Sequence, residues 1–299
     1  MELLKQIKST EDKTIKYIFK LHDGLIVETT YIDNNTGKDI ICVPCQTLCG
    51  MGCTFCHLTD YVGELKLRNL TKHEIIETIE HIIADLKLMD KNRPLLISYM
   101  GSGEPLLNST EVIDSMIMLM SNYDNIRFGL ATSLPRSNWL GFFKLTDRVK
   151  DNKIPLKIHL SLHYTTDKQR GEFMPNSLEI KSSIQALGFY RELTGNPIEI
   201  HYTLIKDIND HVRDVIVLKN LLFGYDIPIK FIRFNSKESN PNEGAEKQTI
   251  ADFRFLLEEF GISTEYYEPP GKDVGASCGQ FLMDEYELHN SRPNQIKQL

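Results

Sequence analysis

The chain has 299 residues, of which 41% are hydrophobic and 25% charged, with a formal net charge of −7. This is an ordinary globular composition, and the acidic balance argues against a dedicated nucleic-acid binder with a broad basic surface. The N-terminus lacks a signal-peptide pattern and no later apolar run approaches the length of a membrane span, so a cytoplasmic location is expected and no membrane partner.

The first predicted elements are two β-rich runs in residues 15–32, "IKYIFKLHDGLIVETTYI", around the hairpin turn signal Asp23-Gly24. A cysteine-rich loop follows. Thr71 with Glu74 then forms a T-x-x-E capping box, ahead of apolar residues at 75, 76, 79, 82, 83 and 86. That spacing is helical. Beyond it the sequence reads as strand 94–100, helix 109–123, strand 126–132, strand 156–163, helix 178–195, strand 198–205, helix 210–222, strand 228–235, helix 248–261 and strand 262–268. Residues 235–248, "NSKESNPNEGAEKQ", have no periodicity and read as a long surface loop. Alternating strands and helices predict an α/β fold with a parallel sheet, a partial (β/α)6 barrel carrying a short N-terminal hairpin. The expected division is a hairpin adaptor at 1–38, a core at 39–285 and a tail at 286–299.

Five of six cysteines, Cys42, Cys45, Cys49, Cys53 and Cys56, crowd into one loop, and Cys278 stands alone near the other end. Clustering without a secretory signal favours a metal or redox site over a disulfide framework. "CGMGCTFC" gives Cys49-x3-Cys53-x2-Cys56, three soft ligands on a tight loop, which suits an iron–sulfur cluster with one open iron. The alternative is zinc, completed by His57, Cys45 or Cys42. The x3-then-x2 spacing with Phe55 before the last cysteine is the signature of radical S-adenosylmethionine enzymes. Support comes from "YMGSGEPLLN" (99–108) after a predicted strand, where Gly101 and Gly103 allow close backbone approach and Glu104 can accept hydrogen bonds from an ammonium group. A plain strand-end turn is the other reading of that stretch.

Several stretches together resemble the RlmN and Cfr class of radical S-adenosylmethionine RNA-adenine methyltransferases: "VETTYI" (27–32), "CVPCQTLCGMGCTFC" (42–56), "RNLTKHEI" (68–75), "MGSGEPLLN" (100–108), "SLHYTTDKQRGEFMP" (161–175), "INDH" (208–211), "RFN" (233–235) and "DVGASCGQF" (273–281). The resemblance implies a 4Fe-4S cluster on Cys49, Cys53 and Cys56. It implies S-adenosylmethionine contacts from Phe55, Gly103, Glu104, Ser161, Leu162, His163 and Asn235. It also implies a relay in which one S-adenosylmethionine methylates Cys278 and a second generates a radical that activates that methyl group. The activated carbon adds to adenine, a carboxylate matching Glu28 takes the ring proton, and Cys42 releases the product by forming a disulfide with Cys278. Glu28 read by itself is a solvated strand residue, and Cys45 a spectator.

The same resemblance makes RNA, ribosomal or transfer, the expected substrate, with a nucleotide-like molecule as alternative. It also implies a flavodoxin or ferredoxin as electron donor, and a monomer is expected. Only 41 residues precede Cys42, too few for the helical accessory domain of that class, which weakens the case for ribosomal RNA. Ala131 stands where the class has a serine, with Thr132 and Ser133 beside it.

Overall fold

The computed structural model describes residues 1–33, 37–91, 93–237, 239–240, 242–277 and 279–280. Cys278 and the tail expected at 286–299 therefore lie outside the described residues. One sheet holds ten strands in chain order: β1 (Glu2–Lys8), β2 (Ile15–Lys20), β3 (Ile26–Asp33), β4 (Asp39–Cys42), β5 (Leu95–Tyr99), β6 (Ile126–Thr132), β7 (Leu156–Ser161), β8 (Ile198–Tyr202), β9 (Ile229–Ile232) and β10 (Thr264–Tyr267). The strands from β1 to β4 pair antiparallel and those from β4 to β10 parallel. β1 and β10 end the order without closing it, which is the partial barrel expected, extended at its N-terminal side by antiparallel strands.

The described residues include seven α-helices: α1 (Lys72–Asp85), α2 (Ser109–Asn122), α3 (Trp139–Asp151), α4 (Asp167–Phe173), α5 (Ile180–Thr194), α6 (Val212–Leu222) and α7 (Lys247–Glu259). The capping box of α1 forms as read, with Thr71 accepting from Glu74 N and Glu74 accepting from Thr71 N. Arg68 adds two hydrogen bonds to the same carboxylate, at 2.9 and 2.7 Å. Such a cap contributes about 1 kcal/mol.

Four elements have no counterpart in the sequence reading, among them α4, whose seven residues are too few to show a helical period. β1 is an edge strand with mostly exposed residues, so no alternation marks it. β4 is only four residues long and merges into the cysteine loop. α3 buries only Gly141, Phe142, Leu145, Thr146 and Val149 among charged neighbours, so its apolar stripe is narrow. Tertiary packing against α2 and α5, rather than pattern, sustains it.

The strand faces differ in chemistry, and this positions the site. Tyr17, Val27, Ile41, Ile97, Phe128, Ile158, Ile200 and Phe231 pack toward the helices and are essentially unexposed. The register places Thr30, Cys42, Ser98, Gly129 and Lys157 on the opposite face of successive strands, with His159 pairing Glu199 and His201 pairing Lys230 beyond. A parallel sheet packed with apolar layers on both sides would show continuous hydrophobic runs. These strands alternate instead, so the lumen is polar and the place for a ligand is inside it.

Candidate active site

The C-terminal ends of β5 to β9 and the cysteine loop surround a pocket of about 230 Å³. Cys49, Cys53, Cys56 and Phe55 form one wall, and Gly101, Gly103 and Glu104 the next. Thr132 and Ser133 after β6, Ser161 and His163 at β7, His201 and Thr203 at β8, and Asn235 after β9 complete it. The sequence-named residues Phe55, Gly103, Glu104, Ser161, His163 and Asn235 thus converge with the three cysteines. Leu162 does not: its side chain is fully buried in the main core, and only its backbone faces the site's framework.

The cysteine loop is held from several directions. Thr54 N donates to Phe173 O (2.9 Å), Thr59 Oγ1 to Cys53 O (2.7 Å) and Asn176 Nδ2 to Met51 O (3.2 Å). Lys237, nearly unexposed, donates to Cys56 O (3.1 Å) and pairs with Asp60 (2.8 Å). Asn240 Nδ2 donates to Thr54 O (3.2 Å). The segment read as a surface loop therefore packs across the cysteine loop, because one buried ammonium finds its acceptors there.

Two glycines permit the close approach of the β5 loop to the cysteine loop. A Cβ on Gly101 would lie 2.8 Å from the Val43 carbonyl, and Gly103 has φ +103° with a would-be Cβ 2.7 Å from Gln46 Cβ. Cys45 packs behind this turn, its thiol donating to Ser102 O (3.6 Å), which is a structural role. Replacing Gly101 by Ala should cost roughly 3 kcal/mol, because backbone must move rather than a side chain. Denaturant unfolding should show that loss together with lower iron uptake on reconstitution; unchanged values for both would contradict this packing.

Glu104 carries more protein contacts than the sequence suggested. Its carboxylate accepts from Thr132 Oγ1 (2.6 Å), Leu106 N (3.1 Å), Ser133 N (3.0 Å) and Ser133 Oγ (3.0 Å), and its own N donates to Gln46 Oε1 (2.9 Å). Burial raises its carboxyl above the usual range despite these bonds. Thr132 and Ser133, beside Ala131, thereby fasten the end of β6 to the glutamate.

His163 sits at φ +57°, a conformation rarely adopted by residues other than glycine. Asn209 of "INDH" holds it there, donating to His163 O (2.6 Å) and Thr203 O (2.8 Å) while accepting from Ile205 N (2.6 Å). The imidazole Nδ1 accepts from Thr203 N (3.1 Å), and the ring meets Phe55 edge to face at 5.5 Å. Burial, with Arg170 and His201 nearby, pushes its pKa down to about 3. It is a neutral ring fixed in one tautomer.

The sequence reading assigned no role to Arg170. Its guanidinium is buried and donates to Leu178 O (3.0 Å), Ser161 O (2.8 Å), Leu162 O and Ser133 O (2.8 Å). It ties the ends of β6 and β7 together beneath the pocket and beside Cys53.

Below His201 the lumen is filled by Glu199. Its carboxylate accepts from Lys157 Nζ (2.6 Å), lies 3.0 Å from His159 Nδ1 and 3.3 Å from His201 Nε2, and has Lys230 Nζ at 3.4 Å. Burial would raise this carboxyl, but the hydrogen bonds and charges around it hold it well below the usual range. The ligand atoms of His159, Glu199 and His201 lie within 4.8 Å of one another. Two ammonium groups already compensate the single carboxylate, so the trio reads as an internal charge network.

The cysteines fit a cluster better than a single ion. Among the described residues the three-ligand grouping within 4.8 Å is that His-Glu-His set, not Cys49, Cys53 and Cys56. Tetrahedral zinc brings its thiolate sulfurs to about 3.8 Å from one another. A cube in which each thiolate binds a different iron spaces them wider. His57 does not line the pocket and offers no fourth ligand to it. Burial pushes the Cys49 thiol up to about 12 and raises Cys53 and Cys56 as well, so a bound cation would be needed to favour the thiolate forms.

Glu28 is not the solvated strand residue that it resembles when read alone. It is buried, with Oε2 2.7 Å from Lys16 Nζ. Since Thr30 pairs with Cys42 in antiparallel register, Glu28 stands beyond the C-terminal end of β4, on the face that Cys42 shares. Cys278 lies outside the described residues; its neighbour Gly279 lines the pocket, and Gly279 O accepts from His57 N (3.3 Å).

Comparison with known proteins agrees with this architecture. Residues 43–218 match the radical SAM superfamily. The chain is 33% identical over 288 residues to a probable dual-specificity RNA methyltransferase RlmN of Thermosipho melanesiensis, covering 93% of this chain and 79% of the relative. It is 32% identical to the protein of that name from Alkaliphilus oremlandii, covering 94% and 79%. A radical SAM methyltransferase from Sphaerobacter thermophilus superposes with a TM-score of 0.79 at 25% identity, over 93% of this chain and 80% of that one. With the cysteine wall, the glycine turn and the open barrel in place, the chain belongs to the RlmN-type radical S-adenosylmethionine methyltransferases, enzymes that use a 4Fe-4S cluster and S-adenosylmethionine.

Proposed function

We propose that this enzyme methylates an sp2 carbon of adenine in RNA, carbon 2 ahead of carbon 8, through a methylcysteine relay consuming two S-adenosylmethionine molecules per turnover. The relatives named as RNA methyltransferases support the substrate class. The observation carrying the relay is the convergence of Glu28 and Cys42 on one face at the barrel mouth, with Gly279 in the wall of the cysteine pocket. Bound to Cys49, Cys53 and Cys56, the cluster would supply the electron that turns S-adenosylmethionine into a hydrogen-abstracting radical source, drawn from a carrier of the flavodoxin or ferredoxin class.

The chain's own residues do the rest. Phe55, Gly103, Ser161, His163 and Asn235 orient S-adenosylmethionine, and Arg170 and Asn209 keep that framework rigid. Cys278 carries the methyl group to the base, because an electrophilic ring carbon cannot attack a sulfonium methyl itself. Glu28 accepts the ring proton. With the adduct's unpaired electron returned to the electron-carrier couple, the Cys42 thiolate attacks the Cys278 sulfur, forming S–S as the S–C bond breaks, and the pair left on the methylene carbon takes a proton to give the methylated product. Residues 1–38 serve as an adaptor to the core. A nucleotide-like small substrate is the second reading, favoured by the net charge of −7.

Cys42→Ala tests the relay, since it removes only the release step. Turnover should stop after one event per chain, leaving nuclease-sensitive nucleic acid bonded to Cys278 in the intact-mass spectrum. Variant protein that stays free of any adduct under turnover with cellular RNA would overturn the RNA reading.

A further inference from the structure

Among the described residues, the lysine with the least exposure is Lys16 on β2, and the relay gives it no task. Its ammonium makes two contacts of opposite origin. It pairs with Glu28 Oε2 at 2.7 Å and donates to Gly275 O at 2.6 Å. The first partner lies on β3; the second is 259 positions away in sequence.

The segment around Gly275 is docked on the N-terminal strands at several points. Ser9 Oγ and Thr10 N donate to the Asp273 carboxylate, both at 2.8 Å, and Gly271 N donates to Asp12 Oδ2 at 2.7 Å. Gly271 has φ +72°, and a Cβ there would lie 2.7 Å from Thr14 Cγ2. The Ser9, Thr10 and Asp273 contacts are exposed and exchange readily with water. The Lys16 and Asp12 contacts are part-buried, and Lys16 itself is unexposed.

Burying an ammonium–carboxylate pair brings little stability. A well-packed apolar pair of the same volume usually serves as well or better. An apolar side chain cannot, however, donate to a carbonyl and a carboxylate at once. Burial lowers the Lys16 pKa, and the charge and hydrogen bond of Glu28 oppose that.

We propose that Lys16 is a positioning residue, which anchors the 271–277 segment through Gly275 and so limits the reach of Cys278, while holding the Glu28 carboxylate. This rests on the relay reading, in which Cys278 must first take a methyl group. In that step the thiolate lone pair forms the new C–S bond and the sulfonium sulfur keeps the pair of the bond that breaks, leaving S-adenosylhomocysteine. A chain anchored three residues earlier has a reach of only about 11 Å.

The test uses cluster-loaded protein with S-adenosylmethionine as the probe. It reads Cys278 methylation by intact mass, S-adenosylmethionine affinity by the cluster's spectroscopic shift, and amide hydrogen exchange across 271–277 in the metal-free chain. Lys16→Met should slow methyl transfer at saturating S-adenosylmethionine at least tenfold, with iron content and affinity unchanged, and should speed exchange at 271–277 by a similar factor. Should Lys16→Met alone fail to fold, the apolar pair Lys16→Met with Glu28→Leu relieves the unpaired carboxylate and should show the same two defects.

Wild-type methylation in that double variant, with or without faster exchange, overturns the proposal. A wild-type enzyme that never gains a methyl on Cys278 brings down the relay reading instead. Exchange at 271–277 would then still decide whether Lys16 anchors the segment.

Discussion

Arg170→Ala is expected to destabilise the metal-free protein by roughly 4 kcal/mol, since four buried carbonyls lose a donor and a large side chain leaves a void. Ser133, Ser161, Leu162 and Leu178 supply those carbonyls, and they belong to three separate segments. No single replacement donor spans them. Arg170→Lys should recover little, because an ammonium is a point donor and cannot present the planar fork. S-adenosylmethionine affinity should fall with stability, as Ser133 and Ser161 frame the pocket. Denaturant unfolding and equilibrium binding check both. An alanine variant within 1 kcal/mol of wild type would contradict the framework role assigned to this residue.

Acid should weaken the metal-free fold well above the carboxylate range. His159 and His163 are both pushed down to about 3, His159 by burial and the neighbouring His201, His163 by burial and Arg170. The unfolded chain binds protons at these rings near pH 6.5 while the folded chain refuses them, so stability falls as pH drops below that value and continues to fall to about pH 3. Between pH 7 and 5 each ring costs about 2 kcal/mol, together an expected fall of roughly 6 °C in Tm for a chain of this length. Glu199 does not offset this, because a carboxyl with a depressed pKa loses its contribution only at lower pH. Thermal melts across that window, with His159→Gln removing about half of the slope, check the argument. A flat profile from pH 7 to 5 would show that these rings protonate freely in the folded chain.

Much of the fold was legible because it rests on local pattern. The hairpin at Asp23-Gly24, the capping box at Thr71 and the alternation of strands with helices follow from turn chemistry and periodicity, which neighbours along the chain enforce. α3 was not, since only a narrow stripe of it is buried and its stability comes from α2 and α5. The loop at 235–248 misled for a related reason: Lys237 is one charge in a polar run until Cys56 O and Asp60 come within reach.

The site divides in the same way. The spacing of Cys49, Cys53 and Cys56 and the glycines at 101 and 103 were readable, because a tight loop with soft ligands and a close backbone approach need those residue types at that separation. Arg170 and Asn209 fall within motifs that carry the resemblance, but neither they nor Lys16 showed a role of their own, because the backbone carbonyls they bind leave no trace in the sequence. Glu28 shows the boundary most clearly. Its identity and place on a strand are matters of sequence, but its burial, its ion pair with Lys16 and its station beyond the end of β4 exist only because three strands pair in one register.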